Sequence, residues 1–269
     1  MRSCCLAVLV ASLSLAASAK GAPAAKGKVL ATVVLEKLRG QLDGADDPPA
    51  LQAAKELGDS GAPNAAEVLI ATLAAGTTPA RAQAALDALG RLNAPRSLDV
   101  LVLYAGHRNN ELRARACKAL TGIGDRRATA MLLDRLGDAA PEVRAAAAGG
   151  LAARHERQAV ARLFLLVKRN DAGAAGPLGA LASPDLIPQL AELQGGIDDE
   201  VLATALGEYI KRDDVADKLR VEVVKTIGKI GGAAATTALI EYTAAVPARE
   251  DRPSKREAQK VIDERGSTR

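Results

Sequence analysis

The chain has 269 residues, 36 Lys and Arg against 32 Asp and Glu for a formal charge of +4, and 48% hydrophobic residues with no Trp, one Phe and three Tyr. That length is ample for a large core, but the aromatic side chains on which a globular enzyme core or a β-sandwich leans are nearly missing. Ala, Leu, Val and Ile carry the apolar content, and Ala pairs the highest helix propensity with the smallest bulk, so closely spaced helices and an all-α fold are expected.

The first residues read as a targeting segment. Arg2 supplies a positive start, CCLAVLVASLSLAA an apolar run, and Ala17-Ser18-Ala19 a small-x-small cleavage site before Lys20. The run from Cys4 to Ala17 is shorter than the roughly 20 residues a membrane-crossing helix needs. A signal peptide over residues 1–19, cut after Ala19, is therefore expected ahead of a retained anchor. Cys4 and Cys5 open the apolar run rather than follow it, the wrong place for a lipid-bearing cysteine. The protein is expected to be periplasmic or secreted and not an integral membrane protein. Cleavage leaves Cys117 alone, without a disulfide partner, and within CKALTGIG it falls on an apolar helix face as a buried thiol.

Residues 20–47 read as a linker and an N-terminal capping helix, KVLATVVLEKLRGQLDG. Self-similarity then dominates the chain from 48 to 247. ELRARACKALTGIGDRRATAMLLDRLGD, from Glu111, aligns without a gap on EVRAAAAGGLAARHERQAVARLFLLVKR, from Glu142, at an offset of 31 residues. Leu112 falls on Val143, Arg113 on Arg144, Ala116 on Ala147 and Leu120 on Leu151. Ala85 and Leu89 precede them in the same register, Ala53 and Leu57 before those, and Arg220 and Ile227 return to it much later. Each unit reads as two helices. The first is amphipathic at i, i+3, i+4, i+7 spacing and ends at Gly61, Asn93, Gly124 or Gly231, residue types that tolerate a left-handed helix end. The second is apolar, as in Met131, Leu132, Leu133 and Leu136. Pro49, Pro79 and Pro141 stand where the following helix begins. A lone helical pair cannot bury both faces, so stacking of neighbours is required.

The pattern degrades over 170–214. Gly173, Gly176, Pro177 and Gly179 fall where a first helix belongs, and an interior Gly costs about 1 kcal/mol and Pro about 3 relative to Ala. A short, broken or kinked helix and a bent or loosened solenoid are expected there. DDEVLATALGEYIKRDD reads as a helix without room for a partner before KLRVEVV. Residues 248–269 turn polar and read as a charged C-terminal helix or tail.

DAAPEVRAAAAGGL, from Asp138, and KALTGIGD, to Asp125, resemble the short HEAT-like repeats of phycobilisome lyases, in which an Asp- and Pro-bearing turn leads into E-V-R and the helix closes on A-L-x-x-I-G-D. The resemblance spans 48–246 and is closest over 78–169. It implies a right-handed α-α superhelix, a HEAT/armadillo-like solenoid, whose stacked second helices present a concave working surface. Tetratricopeptide aromatics and the ankyrin T-P-L-H-x-A motif are missing.

Residues 79–169 carry sixteen Lys and Arg against eight Asp and Glu, whereas 170–269 carry thirteen against seventeen. A basic middle of this kind suits an anionic partner. Arg113, Arg144 and Arg220 share one repeat position, and the resemblance implies a structural ladder there, paired with the turn carboxylates Asp125, Asp138 and Glu142 and with helix-end carbonyls. Arg115, Arg126, Arg127, Arg154, Arg157 and Arg162 lie off that ladder and are the candidate binding patch. Catalytic and metal chemistry find little to build on. His107 and His155 are out of register, and His155-Glu156 resembles the His-Glu pairs of deoxyhypusine hydroxylase, which needs several such pairs. Tyr104, Phe164, Tyr209 and Tyr242 are too scattered for base stacking, so nucleic acid is not an expected partner. Phosphate loops, a nucleophile elbow and clustered cysteine ligands are likewise missing, and no cofactor, metal or catalytic residue is assigned. These features point to a non-enzymatic interaction scaffold with a protein partner. The rival readings are a binder of an anionic polymer or surface through 79–169, and a subunit or remote relative of a HEAT-like lyase.

Overall fold

The computed structural model describes residues 29–247 and 250–266; the signal peptide expected at 1–19 lies outside them. The described residues form fifteen α-helices and no strand beyond one isolated bridge between Gln194 and Ile197. The helices are α1 (Thr32–Asp43), α2 (Asp47–Asp59), α3 (Ala65–Ala75), α4 (Pro79–Leu92), α5 (Leu98–Ala105), α6 (Asn110–Leu120), α7 (Arg126–Arg135) and α8 (Pro141–Ala153). They continue with α9 (Val160–Val167), α10 (Ala172–Leu181), α11 (Ile187–Ala191), α12 (Asp199–Lys211), α13 (Asp217–Lys229), α14 (Gly232–Ala245) and α15 (Pro253–Gly266). The molecule is an all-α solenoid.

Local chemistry sets the boundaries. The side chains of Thr78, Asn109, Asp125 and Asp171 accept backbone amides at the starts of α4, α6, α7 and α10, filling orphan donors that every helix start leaves. Pro79 and Pro141 occupy first-turn positions. Asn93 closes α4 in the left-handed region at φ 48°, a conformation Asn adopts at low cost.

Helices α2, α4, α6, α8, α10 and α12 stack side by side as one row. Their approach is close because small residues face one another. Gly58 meets Ala88, and Gly90 meets Ala119. The shorter helices α3, α5, α7 and α9 cover one side of this row, and Leu57, Leu89, Leu101, Leu120, Leu132 and Leu151 are fully buried between the layers. Cys117 lies in the same core, where burial pushes its thiol up to about 12. Among the described residues no helix is long and apolar enough to cross a membrane.

Two expectations for 170–214 are corrected in part. The first helix there is short, at 10 residues, but not broken. α10 runs unbroken through Pro177 and packs along both α8 and α12. Its glycines are the reason. A Cβ on Gly173 would stand 2.6 Å from that of Ala145, and one on Gly179 would stand 2.1 Å from the Ala205 carbonyl oxygen. Close packing on two sides thus offsets a poor intrinsic propensity. The irregularity falls on the second helix instead, since α11 has only five residues after a 3-10 turn at Pro184–Leu186.

The second correction concerns continuity. The row continues after α12, but the first-helix pattern leaves it. α14 extends the row beyond α12, with Gly207 against Ala238, while α13, which carries Arg220 and Ile227, stacks outside it on α15 with Gly228 against Val261. The charged C-terminal segment belongs to this block. Ser254 and Ala258 of α15 are buried, and the Tyr242 hydroxyl meets Ser254 Oγ at 2.5 Å. The packed array therefore extends past 247 to residue 266.

Candidate binding face

Helix ends expose carbonyl oxygens without intrahelical partners, and guanidinium groups, with five donors each, satisfy them well. Arg113 Nη1 donates to the carbonyls of His107 and Arg108, and its other nitrogens make a two-pronged pair with Asp138 at 2.9 and 2.8 Å. Arg144 repeats this one unit on, donating to the carbonyls of Asp138 and Ala139 and to Asp171 at 2.5 Å. Arg220 departs from the geometry. It is buried and donates only to the carbonyls of Ile210 and Arg212, at the end of α12. Two of the carboxylates expected as partners are occupied elsewhere. Asp125 caps α7 through the Arg127 amide, and Glu142 accepts from the Asn110 side chain. Arg81 was missed by the repeat alignment. It reaches back to Asp47 at 2.7 Å and to the carbonyls of Leu42 and Ala45.

The six arginines expected as one binding patch are not all available at the surface. Arg154 is the clearest correction, because its side chain is 14% exposed and is spent inside the fold. It donates to the carbonyls of Thr121, Ile123 and Asp125 and to the Thr129 hydroxyl. Arg265 makes the matching set one block later, to Ile227, Gly228, Ile230 and Thr236. Arg212 does likewise to Gly179 and Ala182. Each of these clamps lies on a helix that stacks on the one it closes. Only the spacing from a helix end, not any residue motif, marks them in the sequence. Arg115 is tied to Asp87 and Glu111 between α4 and α6. Arg127, Arg126, Arg157 and Arg162 are exposed on or beside the second helices.

Those second helices carry a repeating surface. Ile70, Val102, Leu133 and Phe164 occupy one register position in α3, α5, α7 and α9 and are half-buried against the core. The next residue in each, Ala71, Leu103, Asp134 and Leu165, points outward, with Leu103 67% and Leu165 54% exposed. One flank of this stripe is laced by ion pairs at a repeat position of their own. Arg96 pairs with Glu67, and Arg127 with Asp99 at 2.7 Å. The lacing then stops. Gln158 replaces the arginine, and Ala130 and Ala161 replace the carboxylates. Between α7 and α9 the face opens into a cleft of about 210 Å³ lined by Asp134, Leu136, Gly137, Arg162, Leu165, Leu166 and Arg169. Arg162 donates to the Leu133 carbonyl at 2.7 Å across it, and Lys168 lies 5.9 Å from the centre of the Phe164 ring. Sequence reasoning placed Leu133 and Phe164 on apolar helices but did not single out Leu103 or Leu165; reading every 31st residue along the second helices is the signal that finds them.

The two histidines stay apart in role. His107 stacks on Tyr104 at 5.6 Å and accepts the Asn109 amide, whereas His155 occupies a left-handed turn at φ 55°. Glu156 accepts the Thr129 hydroxyl at 2.9 Å. Among the described residues no group of three or more His, Cys, Asp and Glu is placed to hold a metal ion.

Against known proteins, residues 101–174 match the family model of HEAT repeats. No curated protein matches the chain. Solved structures similar to it include the complex of CpcE and CpcF of phycocyanin lyase from Nostoc sp., 20% identical, covering 92% of this chain and 99% of that one at a TM-score of 0.49. A designed armadillo repeat protein is 16% identical, covering 85% and 98% at a TM-score of 0.36. The match over 101–174 falls on the units in which the two-helix pattern, the Arg113 and Arg144 brackets and the outward row on α5, α7 and α9 repeat most regularly; over these residues the chain carries HEAT-like repeats.

Proposed function

We propose that this chain is a non-enzymatic scaffold that holds a protein partner on the outward face of its second helices, outside the cytoplasm. The observation that carries the reading is the in-register exposure of Leu103 and Leu165 beside the half-buried row Ile70, Val102, Leu133 and Phe164. Scattered apolar residues are ordinary on a protein surface, but apolar residues recurring at the repeat spacing over a packed core, here with Asp134 between Leu103 and Leu165, mark a candidate interaction face. The polyanion reading draws less support, because Arg113, Arg115, Arg127, Arg144 and Arg154 are all committed to partners inside the chain. The location rests on Arg2, the short apolar run and Ala17-Ser18-Ala19.

The test is affinity capture from envelope extract with the wild type and with a Leu103→Asp/Leu165→Asp variant of unchanged circular dichroism. A partner retained at high salt by the wild type and lost by the variant is the expected outcome. Capture that the variant leaves intact, or that survives only at low salt, removes this face from consideration. The protein recovered from the envelope or medium is expected to begin at Lys20; an intact mass retaining residues 1–19 rejects the cleavage.

A further inference from the structure

We propose that the cleft between α7 and α9 is the seat of that partner and takes a segment in which one large apolar side chain is flanked by carboxylates. The inference rests on the scaffold reading and names the chemistry of its occupant.

The repeat itself supplies the contrast that carries it. On the α3–α5 side every exposed arginine of the lacing is neutralised, Arg96 by Glu67 and Arg127 by Asp99. Where α7 and α9 carry Ala130 and Ala161 at the carboxylate position, nothing neutralises the cations that follow. Arg162 gives one donor to the Leu133 carbonyl, and Lys168 rests beside Phe164. Arg162, Lys168 and Arg169 are all exposed, and none meets a carboxylate among the described residues. Asp134, the carboxylate in the cleft wall, is already bridged to Arg135. The cleft thus presents an apolar floor of Leu136, Leu165 and Leu166 between two guanidinium groups, Arg162 and Arg169. A volume of about 210 Å³ suits one large side chain and not a folded domain. Carboxylates on either side of that side chain would meet the guanidinium forks two-pronged, the geometry arginine favours. A plain polyanion would leave the apolar floor uncovered. The shortened α11 also leaves the α9 flank without a full-length second helix beside it.

The experiment is selection from a random dodecapeptide library displayed on phage, panned on the full chain. The enriched peptides are expected to join Leu, Ile or Phe to two or more Asp or Glu. Their affinity is expected to fall about tenfold or more in an Arg162→Glu/Arg169→Glu variant and in Leu165→Ser, and to stay unchanged in Arg96→Glu on the laced side. Neutral or basic consensus peptides, no enrichment, or binding indifferent to these variants overturns the proposal. So does heparin that displaces the peptides and itself binds Leu165→Ser as tightly as wild type, which would make the surface a polyanion site. The two readings fail separately. A captured partner that depends on Leu103 and Leu165 but not on Arg162 and Arg169 keeps the scaffold and rejects this occupant.

Discussion

Four groups converge on Asp138: two nitrogens of Arg113, a longer contact from Arg135 at 3.5 Å, and the Ala140 amide at 2.9 Å. Burial works to raise the carboxyl pKa, but the Arg113 and Ala140 hydrogen bonds and the charges of Arg113 and Arg135 outweigh it and hold the group below its ordinary value. The side chain is 4% exposed, so removing it strands a guanidinium in a mostly dry site. Asp138→Ala is expected to cost about 3 kcal/mol, the scale for breaking a buried pair from one side. Because the folded pKa is depressed, the stabilisation is present above the ordinary aspartate value of about 3.9 and is lost as pH falls through that value toward the folded one. Urea titrations of wild type and Asp138→Asn should therefore show a wide gap at pH 6 that narrows toward pH 3; a constant gap would mean that the charge is not what stabilises. Cys117 gives a second check at this scale. Its buried thiol, pushed up to about 12, should resist alkylation in the native protein and react once urea unfolds it. Rapid native labelling would contradict the packing of α6.

Among the elements, α10 shows how far local rules reach. Its three glycines and Pro177 argue against a helix by propensity alone, because propensity is counted along the chain while the packing that rescues α10 comes from α8 and α12. The same residues are read correctly once their neighbours are known. Gly179 is small because Ala205 is there; Gly149, with nothing within 4 Å of its missing Cβ, is small for no structural reason. Gly179→Ala is thus expected to destabilise by about 1–3 kcal/mol through overpacking, and Gly149→Ala to stabilise by up to about 1 kcal/mol through helix propensity. Thermal unfolding of the two variants should shift in opposite directions, and shifts of the same sign would place the helix row at the wrong spacing. In the regular units, from α4 to α9, the apolar period, the helix end at Asn93 and the starting prolines Pro79 and Pro141 were legible in the sequence, whereas the caps Thr78, Asn109 and Asp125 emerge only from the structure. The candidate site was less so. The arginines were visible as charges, but whether a guanidinium faces water or a helix end depends on where a stacked helix terminates, as Arg154 demonstrates.

At the scale of the whole molecule, the shift of the first-helix pattern out of the α2–α14 row at α13 was foreshadowed and misread. The text of α12 left no room for a partner helix, which is correct, and α13 resumes the first-helix pattern at Arg220 and Ile227. What the text could not convey is that α12 would lie along α14, since the choice between two apolar neighbours is settled by fit, here Gly207 against Ala238. The outward row of apolar residues ends before that change, at Leu165 on α9. The scaffold reading accordingly assigns binding to the regular units and a supporting role to the C-terminal block.

The clamping arginines bear on how such a chain comes into being. Arg154 sits at the C-terminal end of α8 yet completes the turn that follows α6, and Arg265 on α15 completes the one that follows α13. A ribosome releases these segments in order, so each unit leaves the exit tunnel with its closing carbonyls still turned to water and waits for the arginine about thirty residues behind it. A unit closed in this way is therefore finished only by the one that follows it.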